Sequence, residues 1–89
     1  MVWSIEYSRT ALKQLSKLDR QVASKLIHAL KSKIAVLESP RSTGKALTGP
    51  DLNSYWRYRV DDYRIICDIR DQRVCILVIT IGHRKDVYR

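Results

Sequence analysis

The sequence has few of the residues that cross-link or interrupt small domains. Among its 89 residues there are two Cys, two Pro and three Gly, and Phe is absent. Cys67 and Cys75 lie in apolar segments, and with only two His at unrelated spacings they do not form a zinc-binding pattern. This composition argues against a disulfide scaffold and a metal site. We therefore expect two buried free thiols in a reducing compartment, and no cofactor.

Long apolar runs and acidic residues are scarce as well. No segment approaches the roughly 18 apolar residues of a membrane-spanning helix, and the first residues lack the basic start and apolar centre of a signal peptide. We therefore expect a cytoplasmic protein. The chain contains nine Asp and Glu and 17 Lys and Arg, which gives a formal net charge of +8. Such a surface favours a polyanion, whether nucleic acid, an acidic protein or an anionic membrane.

The first half of the chain has the patterns of one strand and two helices. With 45% hydrophobic and 29% charged residues, the composition fits one small soluble domain spanning 1–89. Residues 2–7 alternate in polarity, which predicts a strand with one buried face. Ser8 and Asp19 are suited to cap two amphipathic helices. Pro40 ends the second helix, because the residue before a proline is disfavoured in the α conformation.

The segment 39–54 is predicted to be a loop. It contains both prolines and two of the three glycines. Connections are usually about 4–6 residues long, and longer ones are often functional. Leu47 and Leu52 are expected to anchor the segment to the core. Lys45 is a candidate for an added phosphate contact, although a solvated surface lysine is the favoured interpretation.

Two paired strands with three arginines are the centre of the pattern. Residues 55–60 and 64–69 alternate in polarity on either side of a short polar turn. Arg57 and Arg59 share one face of the first strand, and the other face is apolar. In a tight hairpin Arg64 joins them on the non-core face. Arginines also occur on sheet faces that serve only solubility, so the pattern alone leaves a structural and a functional interpretation open.

The last predicted strand completes the fold. Residues 74–81 are almost wholly apolar, which is typical of an interior strand covered on both faces. The order strand, helix, helix, strand, strand, strand predicts a single small α+β domain, an antiparallel meander sheet with a helical hairpin on one face. The polar residues after this strand project from the end of the sheet. They add His83, Arg84 and Tyr88 to the candidate site.

Taken together, these segments resemble the RelE/ParE superfamily of bacterial toxins, in particular its RelE-type messenger-RNA endonuclease branch. The resemblance covers nearly the whole chain and implies the RelE-like, microbial-ribonuclease-like fold. No single segment is diagnostic, but their order and spacing together are fairly specific. In addition to the helical hairpin, the resemblance rests on residues 45–49, 56–60, 63–65, 81–84 and 87–88.

The resemblance also implies a function. RelE-type toxins enter the ribosomal A site and cut messenger RNA, using the RNA's own 2′-hydroxyl as the nucleophile and leaving a cyclic phosphate. The partners implied for this chain are messenger RNA, the ribosome and an acidic RelB-like antitoxin, and the outcome is inhibition of translation. The resemblance implies five catalytic candidates, which are Arg57, Arg59, Arg64, Arg84 and Tyr88, and His83 fits relatives with a C-terminal histidine. As RNA contacts we predict Lys45, Arg57, Arg59 and Lys85.

The candidate residues suit this chemistry, with two departures from the family. Attack on a phosphodiester concentrates negative charge on its non-bridging oxygens, which guanidinium groups bind bidentately. Arg57 and Arg59 stand where the best-known members have lysines, and an arginine does not act as a base. The spacing from Arg84 to Tyr88 is shorter than in those members. Histidine titrates near neutral pH, so His83 is the proton-transfer candidate, with a surface or capping role as the alternative.

Two functions of other classes remain open. One is a ParE-like toxin that inhibits DNA gyrase by protein contact, and the other is a basic RNA-binding module without catalysis. The arginines favour the nuclease, because a gyrase inhibitor does not need a convergent phosphate-binding set. Fold by itself does not decide among the three.

Overall fold

The computed structural model describes residues 2–47 and 55–83. Within these ranges the chain forms a five-stranded sheet with helices on one face. The strands are β1 (Ser4–Tyr7), β2 (Lys45–Ala46), β3 (Tyr55–Val60), β4 (Tyr63–Arg70) and β5 (Cys75–His83). The helices are α1 (Arg9–Lys17) and α2 (Arg20–Ala29), and a π-helical turn, Leu30–Ile34, continues α2. Two short 3-10 turns span Pro40–Ser42 and Asp71–Arg73.

The strand order in the sheet is β1-β5-β4-β3-β2. The α+β class, the element order and the meander of β3, β4 and β5 agree with the prediction. The expectation of a wholly antiparallel sheet is wrong for β1, which pairs parallel to β5. Alternation within a strand determines its faces but not its partner. The helices between β1 and the meander form the crossover that a parallel pair requires.

Both predicted helix caps are present. The Ser8 hydroxyl accepts a hydrogen bond from the Ala11 N–H at 3.0 Å, and the Asp19 carboxylate accepts one from the Gln21 N–H at 3.1 Å. The second helix does not reach Pro40 as predicted. Its π-helical turn closes with a bond from the Ala35 N–H to the Leu30 carbonyl, at 2.8 Å.

The core lies between the helices and one face of the sheet. The predicted inward residues Ile65, Cys67 and Ile69 of β4 are all buried there. Both cysteines are buried and free, as expected. Burial raises the pKa of the Cys67 thiol, so this group stays protonated at neutral pH. No helix in the two described ranges is long and apolar enough to cross a membrane.

The N-cap serine of the first helix and a glutamine within that helix complete the edge of β5. Strand β1 ends at Tyr7, opposite Val78, so the main-chain groups of β5 beyond that point have no strand partner on this side. The Ser8 hydroxyl donates to the Ile79 carbonyl at 2.6 Å, and the Ile81 N–H donates to the Gln14 side chain at 2.6 Å. These bonds hold the final residues of β5, which ends at His83.

The segment predicted as a loop has regular structure in its described part. Besides the 3-10 turn Pro40–Ser42, it contains β2, which pairs antiparallel to β3 at the edge of the sheet. The loop prediction was therefore wrong for these residues. Proline and glycine content indicates turns. It does not exclude a two-residue strand, because such a strand forms through its contacts with β3. Leu47 is half-buried, and the predicted anchor Leu52 lies outside the described residues.

Candidate nucleic-acid interface

The register of three neighbouring strands gathers cationic side chains on the face of the sheet opposite the core. Arg59 of β3 is the direct cross-strand partner of Arg64 of β4. On the other side of β3, Arg57 is the partner of Lys45 of β2. Side chains of directly opposed residues lie about 4.5–5.5 Å apart at Cβ. The structure therefore brings together four of the predicted site residues.

These residues line a pocket of about 210 Å³. Its walls are Gly44, Lys45, Arg57, Arg59 and Arg64. Within the described part of the chain no carboxylate lines it, so the potential inside is positive on all sides. A pocket of this volume is large enough for a phosphate group.

The arginines differ in exposure. Arg64 and Arg57 are half-buried, and the Nε and Nη1 atoms of Arg64 are buried. Arg59 is exposed, and its Nε donates to the Asp61 carbonyl at 3.4 Å. A charge partly removed from water interacts more strongly with an anion, because the local dielectric constant is lower. Arg64 is therefore the best placed of the three to stabilise a bound phosphate.

The turn between β3 and β4 is tied to the helices. Asp61 has a left-handed backbone, with φ of 53°, a conformation that Asp adopts more readily than most residues. Its carboxylate forms an ion pair with Lys25 of α2 at 2.5 Å. Both side chains are more than half exposed, so this pair contributes at most about 1 kcal/mol. The pair links α2 to the turn that follows β3, the strand that contains Arg59.

A larger cavity lies on the other side of Arg59. It measures about 420 Å³ and lies between the end of α2 and β3. Its walls are mainly apolar, including Ala29, Ile34 and Val60, and its cations are Lys33 and Arg59. An anionic substrate is better matched by the smaller pocket, whose every side chain is cationic. We therefore place the candidate site there, despite the smaller volume.

His83 lies at the end of β5, outside the cationic pocket. It is the cross-strand partner of Tyr63, and the two rings meet edge to face with centroids 5.6 Å apart. Its neighbour Gly82 is opposite Arg64. Because side chains alternate along a strand, His83 shares the face of Tyr63 and not that of Arg64. Arg84, Lys85 and Tyr88 lie outside the described residues.

Two tyrosines near the core have hydroxyls that lose their protons less readily than that of free tyrosine. The Tyr58 hydroxyl is buried and donates to the Pro40 carbonyl at 2.6 Å. Burial raises the pKa of Tyr58 far above neutral, and burial also raises the pKa of Tyr7. Among the described residues there is no cluster of three or more His, Cys, Asp or Glu side chains able to hold a metal ion. The side chains that line the pocket carry only positive charge.

Sequence reasoning missed the contacts that hold β2 against β3. The Trp56 indole N–H donates to the Thr43 carbonyl at 2.7 Å, and Gly44 lies against the β3 backbone with φ of +80°. The pattern identified Trp56 only as an apolar residue. A glycine directly before Lys45 was the available signal, since glycine often marks a close backbone approach.

Comparison with known proteins identifies the family. The family model described as the ParE toxin of a type II toxin–antitoxin system matches residues 5–88. The mRNA interferase toxin RelE of Escherichia coli is 33% identical over 86 residues, which are 96% of this chain and 86% of that protein.

Solved structures agree in fold. A toxin–antitoxin complex, RelBE2 of Mycobacterium tuberculosis, matches with a TM-score of 0.84 at 21% identity, covering 97% of this chain and 95% of the other. The intact E. coli RelBE toxin–antitoxin complex matches with a TM-score of 0.70 at 27% identity, covering 91% and 95%. The match to the family model and the identity to RelE extend over most of the chain. The chain therefore belongs to the RelE/ParE superfamily of toxins from type II toxin–antitoxin systems.

Proposed function

We propose that this toxin is an endoribonuclease that cleaves messenger RNA in the ribosomal A site and so inhibits translation. The observation that supports this most is the pocket whose four side chains, from three strands, are all cationic. Similarity to a protein named as an mRNA interferase supports the same substrate. A gyrase-directed protein contact does not require such a convergent set.

In the proposed reaction the RNA supplies its own nucleophile. The 2′-hydroxyl loses its proton and its oxygen bonds to the adjacent phosphorus. The bond from phosphorus to the 5′-oxygen breaks, that oxygen takes up a proton, and a 2′,3′-cyclic phosphate remains. Negative charge on the non-bridging oxygens increases as the transition state forms. Arg57, Arg59 and Arg64 bind these oxygens through fixed guanidinium groups, while Lys45 contacts the backbone.

Proton transfer is proposed to involve the residues at the end of β5. His83 is one residue from Gly82, the partner of Arg64, and its ring lies on the opposite face of the sheet, against Tyr63. The proposal therefore requires that RNA bound in the pocket wraps over the end of the sheet to reach His83. Tyr88 is proposed to stack on or orient a base, and Arg84 and Lys85 to add positive charge. These roles follow from the resemblance to RelE-type toxins.

The toxin is also proposed to act in the cytoplasm and to be neutralised by an acidic, RelB-like antitoxin. A net charge of +8 on 89 residues attracts an acidic chain at long range, and the attraction weakens with salt. Co-expression of an acidic protein encoded beside this chain is expected to restore growth and to yield a complex at low salt. Failure to form any complex at low salt contradicts this part of the proposal.

Ribosome dependence is the sharpest test. The described pocket holds cations but no matched acid and base, each of which is worth about 100- to 10,000-fold in a self-sufficient enzyme. Positioning of the 2′-hydroxyl in line with the phosphorus is worth up to about 7–11 kcal/mol, and a programmed ribosome fixes the message. Single-turnover cleavage of one message is therefore expected to be at least about 100-fold faster in the ribosome than free.

The outcomes separate the candidate functions. Primer extension on a translated message locates the cuts, with a His83→Gln variant as a measure of proton transfer. Near-equal rates for free and ribosome-bound message contradict ribosome dependence and point to His83 with a second group. An intact message together with inhibited DNA supercoiling identifies a ParE-like gyrase inhibitor. RNA binding without cleavage or gyrase inhibition identifies a non-catalytic module.

A further inference from the structure

The backbone that precedes Lys45 is fastened to β3 by side chains of β3 itself. The Tyr58 hydroxyl donates to the Pro40 carbonyl at 2.6 Å, and the Trp56 indole N–H donates to the Thr43 carbonyl at 2.7 Å. Both side chains belong to the core-facing side of β3, opposite the arginines. The segment therefore crosses the edge of the sheet between the core side and the cationic pocket.

Gly44 permits the closest approach of this segment. A Cβ atom at this position would lie 2.4 Å from the Arg57 carbonyl oxygen and 2.6 Å from Trp56 Nε1. Any residue larger than glycine therefore displaces the segment from β3. The next residue is Lys45, whose register opposite Arg57 places it in the pocket.

The ladder that follows is too short to hold this position alone. Strand β2 has only two residues, and one further bond joins the Leu47 N–H to the Tyr55 carbonyl at 3.2 Å. The hydrogen bond from Trp56 is accepted by Thr43, two residues before Lys45. It is shorter than the bond from Leu47 to Tyr55. It is thus a side-chain attachment of the backbone directly before the pocket residues Gly44 and Lys45.

We infer that Trp56 is a positioning residue of the phosphate-binding pocket, which holds Lys45 beside Arg57 through its bond to the Thr43 carbonyl. Trp56 does not line the pocket and acts only through the backbone of Thr43 and Gly44. The inference rests on the proposed RNA-binding function. It adds that an uncharged side chain on the core side of the sheet determines how many phosphate contacts the protein makes.

The salt dependence of RNA binding tests this directly. The probe is a single-stranded, 2′-O-methylated oligouridylate of about eight nucleotides, which binds but cannot be cleaved. Each phosphate contact on a single strand contributes about 0.7 to the slope of log K against log salt concentration. Lys45→Ala is therefore expected to reduce the slope by about 0.7.

Trp56→Phe is the informative variant, because it keeps the charge and most of the packing but removes the N–H. We expect its slope to fall by about 0.7 as well, and the double variant with Lys45→Ala to match Lys45→Ala alone. Gly44→Ala, whose Cβ would meet the Arg57 carbonyl and Trp56 Nε1, is expected to displace the same backbone and lower the slope as well. Because Gly44 lines the pocket, this variant tests the position of the backbone before Lys45 and not the bond from Trp56. If Trp56→Phe does not fold, Trp56→Leu, which also lacks the N–H, takes its place.

Trp3→Phe is the matched control. Trp3 is a buried core tryptophan whose Nε1 has no hydrogen-bond partner in the described part of the chain. This variant is expected to lose stability and keep the wild-type slope, which separates a loss of packing from a loss of position. Urea unfolding of each variant shows that binding is measured on folded protein.

Three results overturn the inference. They are a wild-type slope in folded Trp56→Phe, a double variant whose slope is lower than that of Lys45→Ala, and a wild-type slope in Lys45→Ala itself. The proposed function is judged separately by cleavage of the ribosome-bound message. A protein that cleaves this message but gives any of the three results retains its proposed function and refutes the role of Trp56.

Discussion

Arg59 and Arg64 are direct cross-strand partners in β3 and β4. Like charges at opposed positions destabilise a sheet, and a structural role alone would favour opposite charges or an uncharged pair there. The only hydrogen bond of Arg59 to the neighbouring turn is a long one, 3.4 Å to the Asp61 carbonyl. The pairing is favourable when an anion lies between the two guanidinium groups, which is the arrangement expected of a phosphate site.

Removal of one of these charges is expected to stabilise the unbound protein. Arg59→Gln should raise the free energy of unfolding at low salt by roughly 0.2–1 kcal/mol. The gain should vanish near 1 M salt, where the Debye length is about 3 Å. Urea unfolding at the two salt concentrations measures this, with the exposed Arg73→Gln as the control. A loss of stability at both concentrations would show that repulsion between Arg59 and Arg64 is negligible.

Arg64 is expected to be the most important arginine for cleavage. Its partly buried guanidinium lines the cationic pocket. Under the proposed mechanism Arg64→Ala should therefore lower cleavage of the ribosome-bound message by about 100-fold or more. Arg64→Lys should restore only part of the rate, because lysine lacks the planar fork. Single-turnover rates are the measurement. Full activity in a folded Arg64→Ala protein excludes this role.

The hydroxyl of Tyr58 is expected to stabilise the fold. Tyr58→Phe leaves the Pro40 carbonyl without its donor and should lower the free energy of unfolding by about 1–3 kcal/mol. Tyr55→Phe, at a half-buried position on the same strand, is the control and should change stability by less than about 0.5 kcal/mol. Equal effects of the two substitutions would mean that the bond to Pro40 contributes nothing specific.

The ion pair of Arg41 and Asp71 is expected to make stability depend on pH. The Arg41 guanidinium binds both carboxylate oxygens, at 2.8 and 2.9 Å, and its hydrogen bond lowers the pKa of Asp71. A lowered pKa in the folded state stabilises the protein above the unfolded pKa of about 3.9, and the gain is lost as the pH falls through the folded value.

Asp71→Asn should therefore cost less than about 1 kcal/mol at neutral pH, since the pair is exposed, and nothing in strong acid. Arg41→Gln should have the same effect, and the double variant should be no less stable than either single one. Unfolding measured between neutral and acid pH checks the trend. A cost of Asp71→Asn that stays constant down to strong acid would contradict it.

Much of the fold followed from local patterns. Ser8 and Asp19 cap the helices as predicted because capping depends on the few residues around each cap. The strand pair on either side of the turn at 61–62 also follows from alternation. The same alternation placed Arg57 and Arg59 on the face away from the core, and it needs no knowledge of distant residues.

The sequence by itself thus determined the elements and the faces of β3 and β4, since periodicity and capping act over a few residues. Only the tertiary structure decided which strands meet. It paired β1 parallel to β5, created β2 and turned His83 toward Tyr63. It also brought Lys45 opposite Arg57. These features depend on contacts between residues distant in the chain, whose partners and register a local pattern does not specify.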